Sequence, residues 1–509
     1  MLRLRKRPFL VGLAVFAALA AHGGFAQDLP TVDGLRAKIA AALGPPLPAS
    51  YERVSYTRSG VAGSETTVRS GDDFRETDGF GPLQRAHGRY GQQAWHQNTN
   101  GQTVLEQPDP GAAVEETYTT TVRRVSEPFE AYVIARRNTA GSGTDEYVDP
   151  STSHIVRRDE IEPTQTTVVR YDDFRTVSGS TRAWHWTRRD GHPENDADYR
   201  IDALVTRPIA PAEIEIPAPR RALVEFPAGK STVELPVKER RGKFIVRVEV
   251  GGRGLDFELD SGAGGISLDD SVARELGLAS VNRFSNANNA GRVSESTVVV
   301  PEMAVGDLHM HDVAVSTLPS LPEQFDDVKV VGLLGFDFIA ELVLRLDYEH
   351  GRVTATTAAP QVDPTQRGFV ALDVRLGSQV PLTTVAINGA LGERFIIDTG
   401  GAGGLMIFDY FARRYPGALV DRGGGNGNVR LTGVGGKIDT RPYQLKAVKL
   451  GNVTFEDFVA LRVMERTSYE SPFDGLIGAD ELRFFTVWLD YADSQILLVP
   501  NNLGQRSIK

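Results

Sequence analysis

Apolar and polar positions follow two different periods along the 509-residue chain. Residues 32–43 carry an amphipathic pattern at helical spacing, which predicts one short helix. Beyond it the pattern shortens to alternation over many brief segments, among them 51–57, 117–123, 166–171 and 182–187, separated by polar turns. Alternation places successive side chains on opposite faces of a strand, so 27–207 is predicted to form a twisted antiparallel sheet domain. Pro208, Pro211, Pro217 and Pro219 then stand among small and charged residues, a composition that continues neither a helix nor a central strand. Residues 208–222 are read as a linker. At the other end, Arg3, Arg5, Lys6 and Arg7 precede an apolar run over 9–21 and a stretch ending Gly24-Phe25-Ala26. That layout predicts a signal peptide over 1–26, cleaved after Ala26. An uncleaved anchor is the alternative, but the run is shorter than the roughly 20 residues that cross a bilayer.

After the linker the chain repeats itself. The first copy reads Phe257-Glu258-Leu259-Asp260-Ser261-Gly262-Ala263-Gly264-Gly265, then Val331-Gly332-Leu333-Leu334-Gly335, then Leu346-Asp347-Tyr348. The second reads Phe395-Ile396-Ile397-Asp398-Thr399-Gly400-Gly401-Ala402-Gly403-Gly404, then Asp474-Gly475-Leu476-Ile477-Gly478, then Leu489-Asp490-Tyr491. The offsets agree: 138 residues from Asp260 to Asp398, 143 from Gly332 to Gly475 and 143 from Leu346 to Leu489. Two lobes of one design are therefore expected, over 223–360 and 361–509. In each, a mostly apolar run of strand formers ends at the aspartate, in a glycine-rich turn.

An isolated Asp-[Ser/Thr]-Gly triplet arises by chance at about one position in a few thousand and is usually a turn. Here it stands twice at matching places of a repeat, each time ahead of Gly-Leu-hydrophobic-Gly. Asp260-Ser261-Gly262-Ala263 and Asp398-Thr399-Gly400, with the segments from Gly332 to Gly335 and from Gly475 to Gly478, resemble the retropepsin-like aspartic peptidases. The resemblance covers residues 243–500. It implies a mainly β chain in which two tandem closed β lobes follow the N-terminal sheet and form a pseudo-dimer, although pairing between chains stays open. It also implies an aspartic endopeptidase whose catalytic residues are Asp260 and Asp398. Two carboxylates within hydrogen-bonding distance cannot both ionise cheaply, so they share a proton and titrate as a pair. One then acts as base on a water and the other as acid toward the scissile carbonyl. Neither metal nor other cofactor is called for.

The neighbours take roles from the same resemblance. Gly262 and Gly400 would let backbone N–H groups approach the carboxylates, and Ser261 and Thr399 would hydrogen-bond across the two loops. A glycine-bearing hairpin covers the substrate in this family. Gly433, Gly435 and Gly436 are the candidate in the second lobe, balanced against an ordinary loop, whereas in the first lobe 286–293 favours the loop. Neither triplet is followed by the Ser or Thr usual in pepsins, no tyrosine lies in the first hairpin candidate, and the lobes are short for pepsin halves.

Other features change the picture less. His309 and His311 would share one face of a strand, but the second lobe has no histidine at the matching place, so a solvated face is favoured over a metal site. In the N-terminal region Gly71-Asp72-Asp73-Phe74-Arg75, Trp95, Asp149-Pro150-Ser151-Thr152 and Tyr171-Asp172-Asp173-Phe174-Arg175 loosely resemble bacterial lipoprotein-carrier sheets. Such a sheet can hold an apolar ligand or a peptide; a folding or docking module containing Trp184 and Trp186 is the plainer alternative. With no cysteine the chain must rely on core burial, and no lipid-modified cysteine can form. The net charge of −10 is dispersed, which argues against nucleic acid and a basic membrane-binding face. A periplasmic or secreted protein acting on a peptide or protein substrate is expected, without stable membrane insertion once the signal is removed. The competing function is a non-catalytic peptide- or lipid-binding envelope protein on a peptidase-like scaffold. A third reading has the N-terminal domain restrain the cleft until the linker is cut.

Overall fold

The computed structural model describes residues 29–107, 118–138, 141–162, 165–288, 290–321, 324–325, 327–420, 427–464 and 473–507. The predicted signal peptide lies outside these, as does the first residue of 117–123. The predicted helix spans Val32–Leu43, capped by Thr31, whose Oγ1 accepts from the Gly34 amide at 3.1 Å. Leu35 and Ile39, one turn apart, pack on Ile134 and Val148 of the sheet beside it.

The alternating region forms one antiparallel sheet of 13 strands. Two meanders, Ala49–Arg58 to Thr103–Leu105 and Thr119–Val125 to Ala197–Thr206, join where Ala49–Arg58 pairs with Ala197–Thr206. Trp186 stacks on Tyr199 at 5.2 Å near this seam, over a core that includes Val54 and Tyr56. The proline-rich stretch is laid along the sheet. Thr103 Oγ1 donates to Pro217 O at 2.9 Å, and Arg220 Nη2 donates to the carbonyls of Gln84, Asn98 and Thr99.

The two copies of the repeat fold alike. In the first, Lys243–Val250 pairs with both Arg253–Leu259 and Gly291–Val305; in the second, Leu382–Ile387 pairs with both Ala390–Ile397 and Gly436–Leu450. These second pairings bend each sheet back toward itself. The strand carrying the Gly-Leu-hydrophobic-Gly landmark, Val328–Leu334 or Gly475–Ile477, runs parallel to the aspartate strand. Its glycine is a packing requirement. A Cβ on Gly332 would fall 2.1 Å from the Phe257 ring, and one on Gly475 would fall 2.5 Å from that of Phe395.

The expectation of two tandem closed lobes holds only in part, because a further six-stranded sheet, to which both copies contribute, is open. Its order is Thr232–Glu234, Arg352–Thr356, Val343–Asp347, Phe485–Asp490, Gln495–Pro500 and Val370–Asp373, three strands from each copy. The central pair carries the two Leu-Asp-Tyr landmarks, antiparallel to one another, with Leu344 opposite Leu489 and Leu346 opposite Val487. One copy alone would leave this apolar strand edge unpaired. A single buried core runs from Phe244 and Phe257 through Leu344 and Leu489 to Phe395 and Phe411, so the copies are packed as one body.

Candidate active site

Each aspartate sits where its strand has just ended. The Asp260 amide donates to Leu334 O at 3.0 Å, and the Asp398 amide donates to Ile477 O at 2.9 Å, so the landmark strand fixes the start of each loop. The chain then turns back on itself. The Gly262 amide donates to Asp260 Oδ1 at 2.8 Å and the Gly400 amide to Asp398 Oδ1 at 3.0 Å. The glycines also set the approach of the lobes: a Cβ on Gly262 would lie 2.6 Å from Asp398 Cγ, and one on Gly400 would lie 2.4 Å from Asp260 Cγ. Each loop therefore rests on the carboxyl of the other.

Ser261 and Thr399, both 1% exposed, tie the loops together. The Ser261 amide donates to Thr399 Oγ1 at 3.0 Å, and the Thr399 amide donates to Ser261 Oγ at 2.9 Å. Each hydroxyl then donates into the opposite lobe, Ser261 Oγ to Ile397 O at 2.7 Å and Thr399 Oγ1 to Leu259 O at 2.8 Å. Four bonds thus cross between the lobes with near two-fold symmetry. Every buried polar atom in this knot has its partner supplied by the other copy.

Asp260 and Asp398 are half-buried, each with its carboxyl against the glycine of the opposite loop. Burial pushes both carboxyls above the ordinary range, and Asp398 goes further because the charge of Asp260 stands beside it. Lys243 acts in the opposite sense on both. Tyr348 and Tyr491, the last residues of the Leu-Asp-Tyr landmarks, have their phenols pushed up mainly by burial, with Asp398 adding to the first and both aspartates to the second.

The aspartates open into a cavity of ≈ 1030 Å³. Among the predicted hairpin residues, Gly433 lines it together with Leu431, Thr432 and Val434. Gly435, with φ +96°, makes the turn, and its neighbour across the gap is Gly291 of the first lobe. The stretch 286–293, favoured as an ordinary loop, instead ends a long hairpin formed by Ser280–Asn288 and Gly291–Val305. The Ala290 amide donates to Val434 O at 3.2 Å. The two hairpin tips therefore meet. His309 and His311 are exposed, and the described residues hold no group of three side chains that could ligate a metal.

One reading of the sequence set the N-terminal domain against the cleft, but it named none of the residues that wall the cavity. Tyr56, Phe80, Arg85, Asn98 and Asp190 of the N-terminal sheet line it. Asn195 exchanges two hydrogen bonds with Ser285 on the first-lobe hairpin, at 2.8 and 3.0 Å. Below it, Asn98 and Asn100 donate to the two oxygens of buried Asp337 at 2.8 and 3.0 Å, and the Ile266 amide donates to Oδ2 at 3.2 Å. No periodicity announces such contacts. Lys243 and Glu258 were also passed over, although a charge inside an otherwise apolar strand was a signal.

The two β lobes thus meet at their Asp-[Ser/Thr]-Gly loops. Residues 246–338 and 383–480 match the aspartyl protease family model, one match on each lobe. No curated protein matches the chain. Among solved structures, the aspartic proteinase from Irpex lacteus is similar at 14% identity, with 55% of this chain and 100% of that chain covered and a TM-score of 0.34. A LolA superfamily protein from Nitrosomonas europaea shows 12% identity, 36% and 97% coverage and a TM-score of 0.28. A DUF1329 family protein from Desulfovibrio piger shows 11% identity, 36% and 97% coverage and a TM-score of 0.27. No helix among the described residues is long and apolar enough to cross a membrane.

Proposed function

We propose that this chain is an aspartic endopeptidase whose dyad, Asp260 and Asp398, is completed within one polypeptide. The observation that carries this reading is the reciprocal bonding of the two loops, which sets each aspartate against the glycine of the other loop where both line one cavity. One shared proton relieves the repulsion of two adjacent carboxylates. The ionised member takes a proton from a water between them, and the oxygen of that water adds to the scissile carbonyl carbon. The protonated member donates to the carbonyl oxygen as it becomes a hydroxyl. Collapse of the tetrahedral diol breaks the C–N bond, with a proton delivered to the leaving nitrogen. Gly262 and Gly400 amides hold the carboxyls in place, and the hairpin tips around Ala290 and Val434 cover the substrate and exclude water.

Export through the amino-terminal segment, and a periplasmic or secreted location, belong to the same reading. The test is hydrolysis of a mixed peptide library from acidic to neutral pH by the mature protein, beside Asp260→Asn and Asp398→Asn. Cleavage lost in either variant is the expected result. Cleavage that survives both, or an intact protein that cuts nothing after the linker is opened, would favour the non-catalytic binding protein.

A further inference from the structure

The dyad is nearly symmetric, but its immediate surroundings are not. In the first lobe Ile245 stands opposite Glu258, and continuing that register brings Lys243 opposite Asp260. In the second lobe Leu382 stands opposite Ile396, and the same continuation brings Val380 opposite Asp398. Lys243 and Glu258 therefore correspond to Val380 and Ile396. The first two form an ion pair at 3.0 Å, with side chains 7% and 3% exposed, and both border the cavity that holds the dyad. Val380 and Ile396 are buried within an apolar cluster. Across its own ladder Asp260 thus faces a cation and Asp398 faces hydrocarbon, and the charges of Lys243 and Glu258 reach Asp398 from the other lobe.

We propose that Lys243 is a positioning residue that decides which aspartate carries the shared proton, leaving Asp260 as the carboxylate that activates water and Asp398 as the acid. The inference rests on the peptidase reading for its meaning in catalysis. Its physical basis is separate. An ammonium close to one of two equivalent carboxyls favours the ionised form of that one, while the apolar side favours the neutral form. Glu258, two residues before Asp260 on the same side of the strand, holds Lys243 in the buried site and partly offsets its charge. The other titratable groups against the dyad are Tyr348 and Tyr491 from the shared sheet beneath, both neutral phenols with raised pKa. Across the cavity the first-lobe hairpin presents Arg292 and Glu295, one of each sign.

The two members of the pair must act in opposite directions, which a merely structural role would not produce. Lys243→Met should move the acid limb of the kcat/KM pH profile up by about one unit or more, the effect of removing one close opposite charge. Glu258→Gln should move it down. Lys243→Arg should stay near the native profile, and the double variant Lys243→Met with Glu258→Gln should restore folding if the lone buried carboxylate unfolds the first variant. Titration of the ¹³C-labelled aspartate carboxyls, assigned with Asp260→Asn and Asp398→Asn, reads the same asymmetry without any substrate. In the native protein the Asp260 signal should ionise first, and in the double variant the two signals should approach one another. Cleavage that survives both Asn variants would sink the peptidase reading while the carboxyl titration still tests Lys243. Shifts of the same sign, or an unchanged order of ionisation, would overturn the role of Lys243 alone.

Discussion

Replacing Thr399 with valine keeps the shape of a side chain that is 1% exposed and removes a single oxygen. That oxygen accepts from the Ser261 amide at 3.0 Å and donates to Leu259 O at 2.8 Å, so the change strands an amide and a carbonyl of the other lobe. A buried polar group without its partner costs about 1–3 kcal/mol, so the two together give a loss of about 2–6 kcal/mol. Such a loss corresponds to amide exchange at least about 30-fold faster when the affected amides open locally. The assay is hydrogen–deuterium exchange by mass spectrometry, comparing a fragment over 255–262 with one over 297–305. The first should lose protection and the second should not, although the substitution lies in neither. Thr399→Ser keeps the hydroxyl and should stay within a few-fold of native. Hydrolysis, where a displacement of 1 Å can cost about 100-fold, should fall with the valine and not with the serine. Unchanged exchange over 255–262 in a folded Thr399→Val protein would refute the claim that these bonds hold the loops together.

Three further outcomes follow from the same geometry. Gly400→Ala would place its methyl 2.4 Å from Asp260 Cγ, so peptide hydrolysis should drop at least about 100-fold while circular dichroism stays native. Asp474→Ala removes the acceptor of the Glu393 and Arg394 amides, at 2.8 and 3.1 Å, and the partner of Arg414 at 3.5 Å. Loss of one member of a buried pair predicts about 3–5 kcal/mol of destabilisation by urea unfolding, and a value below about 1 kcal/mol would contradict it. Asp337 is pushed up to about 7, mainly by burial. The folded state therefore holds this proton more tightly than the unfolded chain, and stability should fall as pH rises from the ordinary aspartate range to about 7. Asp337→Asn should flatten that fall, and urea midpoints at pH 4.5, 6 and 7.5 for both proteins would reveal a slope that fails to change.

Much of this was legible in the chain. The strand-turn character of each aspartate loop shows in the apolar runs before Asp260 and Asp398 and in the glycines after them. The repeat showed that whatever one loop does, the other does too. The helix Val32–Leu43 and the strands of the N-terminal sheet follow from periodicity, because burial on one face imposes it. Other features were not legible for a specific reason. Asn98, Asn100 and Asn195 meet Asp337 and Ser285 through single polar contacts across long sequence separations, and such contacts leave no pattern in hydropathy. The same holds for the end of the first-lobe hairpin, whose asparagines suggest a turn and nothing about its reach toward Val434.

The sequence by itself determined the two carboxyls, their hydroxyl and glycine neighbours, and the equivalence of the lobes, since all of these are local in the chain and are written twice. Only the tertiary structure decided that the lobes face one another through a shared sheet, that Ser261 and Thr399 exchange their hydrogen bonds, that the N-terminal sheet walls the cavity, and that Lys243 pairs with Glu258 at its edge. A repeat specifies two similar surfaces. Which atoms of one meet which atoms of the other is set by packing the copies about their common core, where a strand register places a cation beside one carboxyl and a valine beside its twin.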